Sequence, residues 1–185
     1  MSLRLLLVAV ISFFAMAAGQ AAEYTRVNTS ASQISFTYNQ MGSRMYGTFS
    51  KFEATLDFNT DNPANARTTL HIDLGSIDAG SEDANTELVK PAWFDTGKFP
   101  VAVFESSRFT PVGENRYRIA GQLTLKGITR EVDVPVELKP DNAVGIFDGE
   151  LILKRDEFGL GAGEWADSVV SKDIAIKFRV VAPQQ

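Results

Sequence analysis

The chain offers few side chains that could carry out a reaction. Among its 185 residues there is one histidine, His71, and no cysteine. His71 alternates with the apolar Leu70 and Ile72, and this spacing predicts a solvated side chain on the polar face of a strand. Without a second histidine or any thiolate, a metal site would have to consist of carboxylates alone. The sequence therefore predicts no metal site.

The serine, glycine and acidic residues form no recognisable catalytic motif either. No Gly-x-Ser-x-Gly sequence occurs, and the single histidine would have to serve any catalytic triad. The glycine-rich stretch 159–163 lacks the Lys-Ser/Thr ending of a phosphate-binding loop. Glu82 and Asp83 could act as an acid and a base, but acidic residues are also typical of the first turn of a helix. We therefore predict that the protein is not an enzyme and needs no cofactor.

The first residues predict export. Met1 to Arg4 carries one positive charge, residues 5–18 are almost wholly apolar, and small residues continue to Ala22. This order is typical of a secretory signal peptide, and the apolar run is shorter than the ~20 residues that a spanning helix needs. We predict a cleaved signal peptide at 1–21, a single mature domain at 22–185, a periplasmic location and no stable membrane insertion. An uncleaved membrane anchor is the alternative.

The charge balance argues against nucleic acid as a partner. Removal of Arg4 with the signal leaves 17 of the 18 basic residues against 23 acidic ones, a net charge of −6. An acidic chain without a cluster of Lys and Arg binds nucleic acid and anionic membrane surfaces poorly. Neither is expected as a partner.

Alternation of apolar and polar residues dominates the mature chain, as in strands with one buried and one solvated face. About eight strands are predicted, which is the number at which a small antiparallel sheet can close on itself. Short turns such as Lys126-Gly127 favour hairpins between neighbouring strands. The sequence thus predicts an all-β antiparallel barrel. Its strands are expected within 33–38, 51–58, 68–74, 101–109, 117–125, 132–138, 146–154 and 173–180.

One segment departs from the alternation. Ser81 can cap a helix, acidic residues follow it, and Pro91 ends the segment, which together predict one short helix near residues 82–90. An aromatic cluster follows directly: Trp93, Phe94 and Phe99. A barrel of about eight strands either fills its interior with side chains or holds one ligand there, and the alternation does not distinguish the two.

Several segments, spread in order over nearly the whole mature chain, together resemble the YceI-like family of exported, lipocalin-like, lipid-binding proteins. They are 34–36, 47–52, 77–80, 93–95, 98–106, 121–130 and 155–160, of which 121–130 is the most specific. The resemblance implies a lipocalin-like barrel with a long apolar tunnel that holds a polyisoprenoid chain. The chain departs from many relatives at Gln40 and at Glu82-Asp83, near where a ligand head group would emerge.

What the resemblance implies for this protein is the binding, storage or transport of an isoprenoid lipid, either a polyprenyl phosphate or an isoprenoid quinone. Arg44 is a candidate for contact with the head group. The alternative is a non-catalytic, stress-related interaction protein with a barrel filled by side chains, which can form a homodimer. The residues expected to line the tunnel and its lid are Phe36, Tyr38, Phe52, Leu88, Trp93, Phe94, Phe99, Phe104, Leu123 and Leu125.

Overall fold

The computed structural model describes residues 21–161 and 169–185, so the predicted signal peptide lies almost wholly outside the described residues. These described residues form one antiparallel sheet of eleven strands and one α-helix. The strands are β1 (Glu23–Tyr24), β2 (Gln33–Gln40), β3 (Ser43–Phe49), β4 (Phe52–Asn59), β5 (Arg67–Asp73), β6 (Ile77–Asp78), β7 (Val101–Gly113), β8 (Arg116–Leu125), β9 (Ile128–Asp141), β10 (Val144–Lys154) and β11 (Asp173–Pro183). The helix, α1, spans Glu82–Leu88, and short 3-10 turns lie at Pro63–Asn65, Leu74–Ser76 and Arg155–Phe158.

The sheet curls into a barrel whose two edges are bridged by short segments. Its strand order is β1-β4-β5-β7-β8-β9-β10-β11-β2-β3-β6. At one edge, Tyr24 pairs with Phe58 of β4 and also forms an isolated bridge with Gln184, just beyond β11. At the other edge β6 pairs with β3. Next to this pair, the amide of Ser50 donates to the carbonyl of Ser76, a residue between β5 and β6, at 3.2 Å. The predicted all-β antiparallel barrel is confirmed.

The strand number exceeds the predicted eight because β1, β3 and β6 were not anticipated. β1 and β6 have only two residues each, too few for any alternation to be visible. β3 reverses the expected pattern, since the buried Gly47 faces inward while Tyr46, 64% exposed, faces outward. When glycine occupies an inward-facing position, the strand lacks an apolar side chain there, and the alternation of apolar and polar residues is interrupted.

The turn between β8 and β9 fixes the register of one of the long ladders. Lys126 and Gly127 have φ angles of 51° and 73°, and Leu125 pairs directly with Ile128. Two positive φ values in a two-residue loop are the geometry of a type I′ hairpin. A Cβ on Gly127 would lie 2.7 Å from the ring of Phe99, so glycine is also required by the close approach of that ring.

The predicted helix is confirmed and ends at Leu88, two residues earlier than the upper bound of the prediction. The hydroxyl of Ser81 accepts a hydrogen bond from the Ala84 amide at 3.2 Å, which caps the first turn. The Asn85 side chain accepts one from the Ala79 amide at 2.7 Å and ties the helix to the chain that precedes it. None of the helix residues is fully buried, so α1 lies over the barrel as a surface element.

The interior of the barrel divides into two halves. In one half, which we call the packed half, Phe58 contacts the rings of Tyr24, Phe109, Tyr117 and Phe147 at centroid distances of 5.0 to 6.3 Å. Phe58 has no exposed surface, and these rings fill the space between the walls. The second half, which we call the hollow half, contains a separate set of buried residues around α1 and the 155–161 segment.

Candidate functional site

A cavity of about 600 Å³ occupies the hollow half of the barrel. This volume falls within the ~300–1,000 Å³ that is typical of small-molecule sites. Strand residues supply most of its wall, for example Phe36 from β2, Leu123 and Leu125 from β8, Leu153 from β10 and Ile176 from β11. Its lining is mainly aliphatic and aromatic, so it suits a hydrocarbon ligand.

Two glycines on the inner face keep the barrel wall thin. A Cβ on Gly47 would lie 2.2 Å from the ring of Phe36, which is cross-strand from it. A Cβ on Gly121 would lie 2.6 Å from the ring of Phe104 and 2.5 Å from the carbonyl of Glu105. Each ring therefore occupies the space above a glycine and lies against the sheet. Aromatic rings that cover glycines take up less of the interior, which helps to leave the cavity open.

The cavity ends where the packed half begins. Phe104, Val132 and Leu151 are partly buried and pack against the buried residues of both halves. None of these three residues lines the cavity itself, and no aromatic residue of the packed half does so. These three side chains therefore form the boundary at which the cavity stops.

The cavity opens to solvent beneath α1. Most of its lining is buried or half-buried, whereas Ser81, Asp83, Thr86 and Lys90 line it and are exposed. These four residues lie in α1 or directly next to it, so the cavity reaches the solvent beside this helix. The opening is thus polar, in contrast to the apolar wall behind it.

Tyr38 connects the cavity wall to the chain that leads into α1. Its hydroxyl donates to the carbonyl of Ala79 at 3.1 Å. Burial raises the pKa of the Tyr38 phenol above its ordinary value, so the hydroxyl remains protonated and continues to donate at neutral pH. This bond places Ala79 and the helix start beside the opening.

Arg155 is the one charged residue that is buried in the described part of the chain, and it lines the cavity with 3% exposure. Its guanidinium donates to the carbonyls of Leu160 at 2.8 Å, Val170 at 3.0 Å and Ser171 at 3.0 Å. It also lies over the ring of Trp93, 5.7 Å from the centroid. Arg155 therefore joins chain segments on either side of residues 162–168. The indole nitrogen of Trp93 is buried and has no acceptor among the described residues.

A lysine also contacts the 155–161 segment. The Lys126 ammonium donates to the carbonyl of Gly159 at 2.8 Å. Partial burial lowers the pKa of Lys126, and the nearby Asp95 carboxylate acts in the opposite direction. The tip of the β8–β9 hairpin is thereby fastened to the 155–161 segment that forms one side of the cavity.

Seven of the ten residues predicted to line the tunnel or its lid border this cavity: Phe36, Tyr38, Leu88, Trp93, Phe94, Leu123 and Leu125. The other three lie elsewhere. Phe99 covers Gly127, Phe104 lies at the boundary between the halves, and the partly exposed Phe52 belongs to neither buried cluster. Contacts of these residues with a lipid remain predictions.

Arg44, the candidate for head-group contact, lies on the outer face of the barrel. It pairs with Asn39, the neighbour of Tyr38, and adjacent strand residues point to opposite faces. Because Tyr38 lines the cavity, Asn39 and Arg44 point away from it. Gln40 lines the cavity instead.

Arg155 and Gly47 could not be selected for the site from residue type or spacing. Arg155 falls within the 155–160 segment that carries the family resemblance, but arginine is a residue type that is normally exposed. Phe49 and Ile77 also line the cavity and were missed because they lie in the unanticipated strands β3 and β6.

A second concavity, of about 730 Å³, is rich in charged side chains from β9, β10 and β11. Arg179 donates to Asp148 at 2.8 Å, and Lys177 lies 3.5 Å from Glu150. The hydrogen bond from Arg179 is the main reason that the pKa of Asp148 lies below its ordinary value. These charges already pair with one another, and the surface is poorly suited to a hydrocarbon.

Within residues 21–161 and 169–185, no three His, Cys, Asp or Glu side chains are grouped so that they could hold a metal ion. The same residues include no helix long and apolar enough to span a membrane.

Comparison with known proteins supports a single family over nearly all of the described chain. The model of the YceI-like domain matches residues 25–182. The crystal structure of BcnA from Burkholderia cenocepacia is 37% identical, with a TM-score of 0.82, and the match covers 85% of this chain and 99% of that one. A polyisoprenoid binding domain from Saccharophagus degradans is 18% identical with a TM-score of 0.67, covering 89% of this chain and 98% of that one, so this likeness concerns the fold.

Among curated proteins, a UPF0312 protein of Photorhabdus laumondii is 34% identical over 106 residues, and one of Yersinia pestis is 31% identical over the same length. Each match covers 57% of this chain and 55% of the relative. The chain thus matches about half the length of these curated relatives.

Proposed function

This chain belongs to the YceI-like family, and on that basis we propose that it binds a long isoprenoid lipid in the barrel cavity and stores or carries it. The observation that carries the proposal is the apolar cavity of about 600 Å³ in the hollow half, which opens to solvent at one polar end. The name of the Saccharophagus degradans domain, a polyisoprenoid binding domain of the same fold, supports the choice of ligand. The proposed role is binding without catalysis.

The physical basis of the proposal is the hydrophobic effect. An isoprenoid tail is branched hydrocarbon without hydrogen-bonding groups, and a wall of Phe, Leu and Ile side chains requires none. Each buried CH₂ contributes about 0.8 kcal/mol, so ten such groups contribute about 8 kcal/mol before the costs of association are subtracted. Tail binding of this size needs no specific polar contact.

The polar opening suits the head group of such a lipid. A tail that enters beneath α1 would leave its head group near Ser81, Asp83 and Thr86, which are both exposed and part of the lining. Lipids with one apolar and one polar end match this arrangement, because the tail meets the apolar wall while the head group stays at the hydrated, polar opening.

The proposal includes a location outside the cytoplasm. It is supported by the order of charged, apolar and small residues in 1–22, which is typical of a secretory signal. A carrier of this kind would shield an isoprenoid from water between membranes. Its cargo would be a quinone or a prenyl phosphate, which differ in their head group.

Native mass spectrometry of the full chain, expressed in a Gram-negative host and purified without detergent from the periplasmic fraction, tests the proposal. We expect a protein mass that begins near Ala22, together with a stoichiometric adduct that fragments as an isoprenoid. The same spectrum reports whether the protein is a monomer or a homodimer. A protein that is free of adduct, and stays so after incubation with isoprenoid quinones and prenyl phosphates, would contradict lipid binding and favour an interaction protein.

A further inference from the structure

The charged residues around the cavity opening bear on which isoprenoid head group fits there, an uncharged one or a phosphate. Asp83 and Glu87 both line the cavity, and they lie four residues apart, on the same face of α1. Asp83 is exposed and Glu87 is partly exposed. A head group at the opening would therefore be near two carboxylates.

The basic residues that line the cavity are already engaged. Among the described lining residues there are two, Lys90 and Arg155. The Lys90 ammonium lies 2.5 Å from the Glu87 carboxylate and forms an ion pair with it. Arg155 is buried and donates to the carbonyls of Leu160, Val170 and Ser171. Asp83, Glu87 and Lys90 together leave the opening with a net charge of −1.

The start of α1 does not compensate for this charge. The Ala84 amide donates to the Ser81 hydroxyl, and Glu82 and Asp83 occupy the first turn. These acidic side chains already offset the positive end of the helix dipole. Arg44 is on the outer face and does not line the cavity. A phosphate at the opening would thus meet like charge without an unengaged cation in the described lining.

Uncharged polar groups are also present at the opening. Gln40, Ser81 and Thr86 line the cavity and carry amide or hydroxyl groups that can donate and accept hydrogen bonds. These groups suit the carbonyl of a quinone or the hydroxyl of a prenol. We propose that Asp83 and Glu87 are specificity-determining residues, which select isoprenoids with an uncharged head group against prenyl phosphates. This inference rests on the proposed function.

Farnesol and farnesyl monophosphate test the inference, because they share one tail and differ only in the phosphate. Equilibrium competition between the two ligands, with extraction and quantification of the bound fraction, gives their binding ratio for the full mature chain. The phosphate also changes partition into water, so the informative quantity is the change in this ratio between variants. We expect the D83N/E87Q double variant to shift the ratio about five- to tenfold toward the phosphate at low ionic strength, as a few exposed charge interactions allow.

The control is Glu82→Gln, which removes a carboxylate from the same helix turn at a position that does not line the cavity. This variant should leave the ratio within twofold of the parent chain, and added salt should reduce the shift seen with D83N/E87Q. An unchanged ratio in D83N/E87Q, or a parent chain that binds the phosphate more tightly, would overturn the selectivity. If neither ligand binds the parent chain, the proposed function fails and this inference fails with it.

Discussion

Leu123→Trp is expected to fold like the parent chain and to lose most of its affinity for isoprenoid lipids. Leu123 lies on β8, is 9% exposed and lines the cavity, so the larger indole would extend into open space. If it displaces three CH₂ groups of the tail, at about 0.8 kcal/mol each, the affinity falls by roughly fiftyfold. The dissociation constant for farnesol, measured by competition with a fluorescent apolar probe, checks this result.

Gln122→Trp provides the matched control for this variant. Gln122 is the neighbour of Leu123 on the same strand, and its exposed side chain is on the outer face of the barrel. The same indole at this position should leave the dissociation constant within about twofold, because it does not reach the cavity. Equal affinities of Leu123→Trp and the parent chain would mean that the tail does not occupy this space.

Arg155→Met should destabilise the fold strongly. The variant removes the donors to the carbonyls of Leu160, Val170 and Ser171 from a site where Arg155 is only 3% exposed. Each buried carbonyl that is left without a donor costs about 1–3 kcal/mol, so the free energy of unfolding should fall by about 3 kcal/mol or more. Urea unfolding followed by circular dichroism measures this difference.

Arg179→Met makes the corresponding change at an exposed arginine. Arg179 pairs with Asp148 on the outside of the barrel, and its side chain is 56% exposed. Exposed ion pairs contribute at most about 1 kcal/mol, so this variant should unfold close to the parent chain. Similar losses in the two variants would show that Arg155 is no more important to the wall than an ordinary surface arginine.

Most strands could be predicted because one face of the sheet is apolar and the other is solvated. Residues 51–58 and 132–138, for example, alternate as expected. β4 begins one residue after the start of the first segment, at Phe52, and the second segment lies within β9. β3 could not be predicted because its inner position Gly47 has no side chain and is covered by Phe36 from the neighbouring strand. The residue that lies opposite Gly47 on the neighbouring strand is determined by the register of the two strands, and this register is established only in the folded sheet.

The division into a packed and a hollow half could not be predicted from residue types. Phe36 lines the cavity, while Phe58 fills space in the packed half. Both are phenylalanines in strands whose apolar and polar residues alternate. The difference arises from what each ring faces across the barrel. Phe58 meets four other rings, whereas Phe36 meets two, those of Tyr38 and Phe49, and lies over Gly47.

Arg155 shows the same limit for charged residues. The family resemblance of the 155–160 segment indicated that the region matters but did not indicate that the arginine is buried. Its burial depends on carbonyls from residues 160–161 and 170–171, which converge only in the folded chain. Arg44 was the more apparent head-group candidate, yet strand alternation places it on the outer face.

The location of the bound tail tests the central claim most directly. Nuclear Overhauser effects between farnesol and the leucine and valine methyl groups of the methyl-labelled mature protein give this location. We predict contacts with Leu123, Leu125 and Leu153 of the hollow half, and none with Leu56 and Leu138 of the packed half. Contacts that are confined to the charged outer concavity, for example to the exposed Val112, or no contacts at all, would contradict lipid binding inside the barrel.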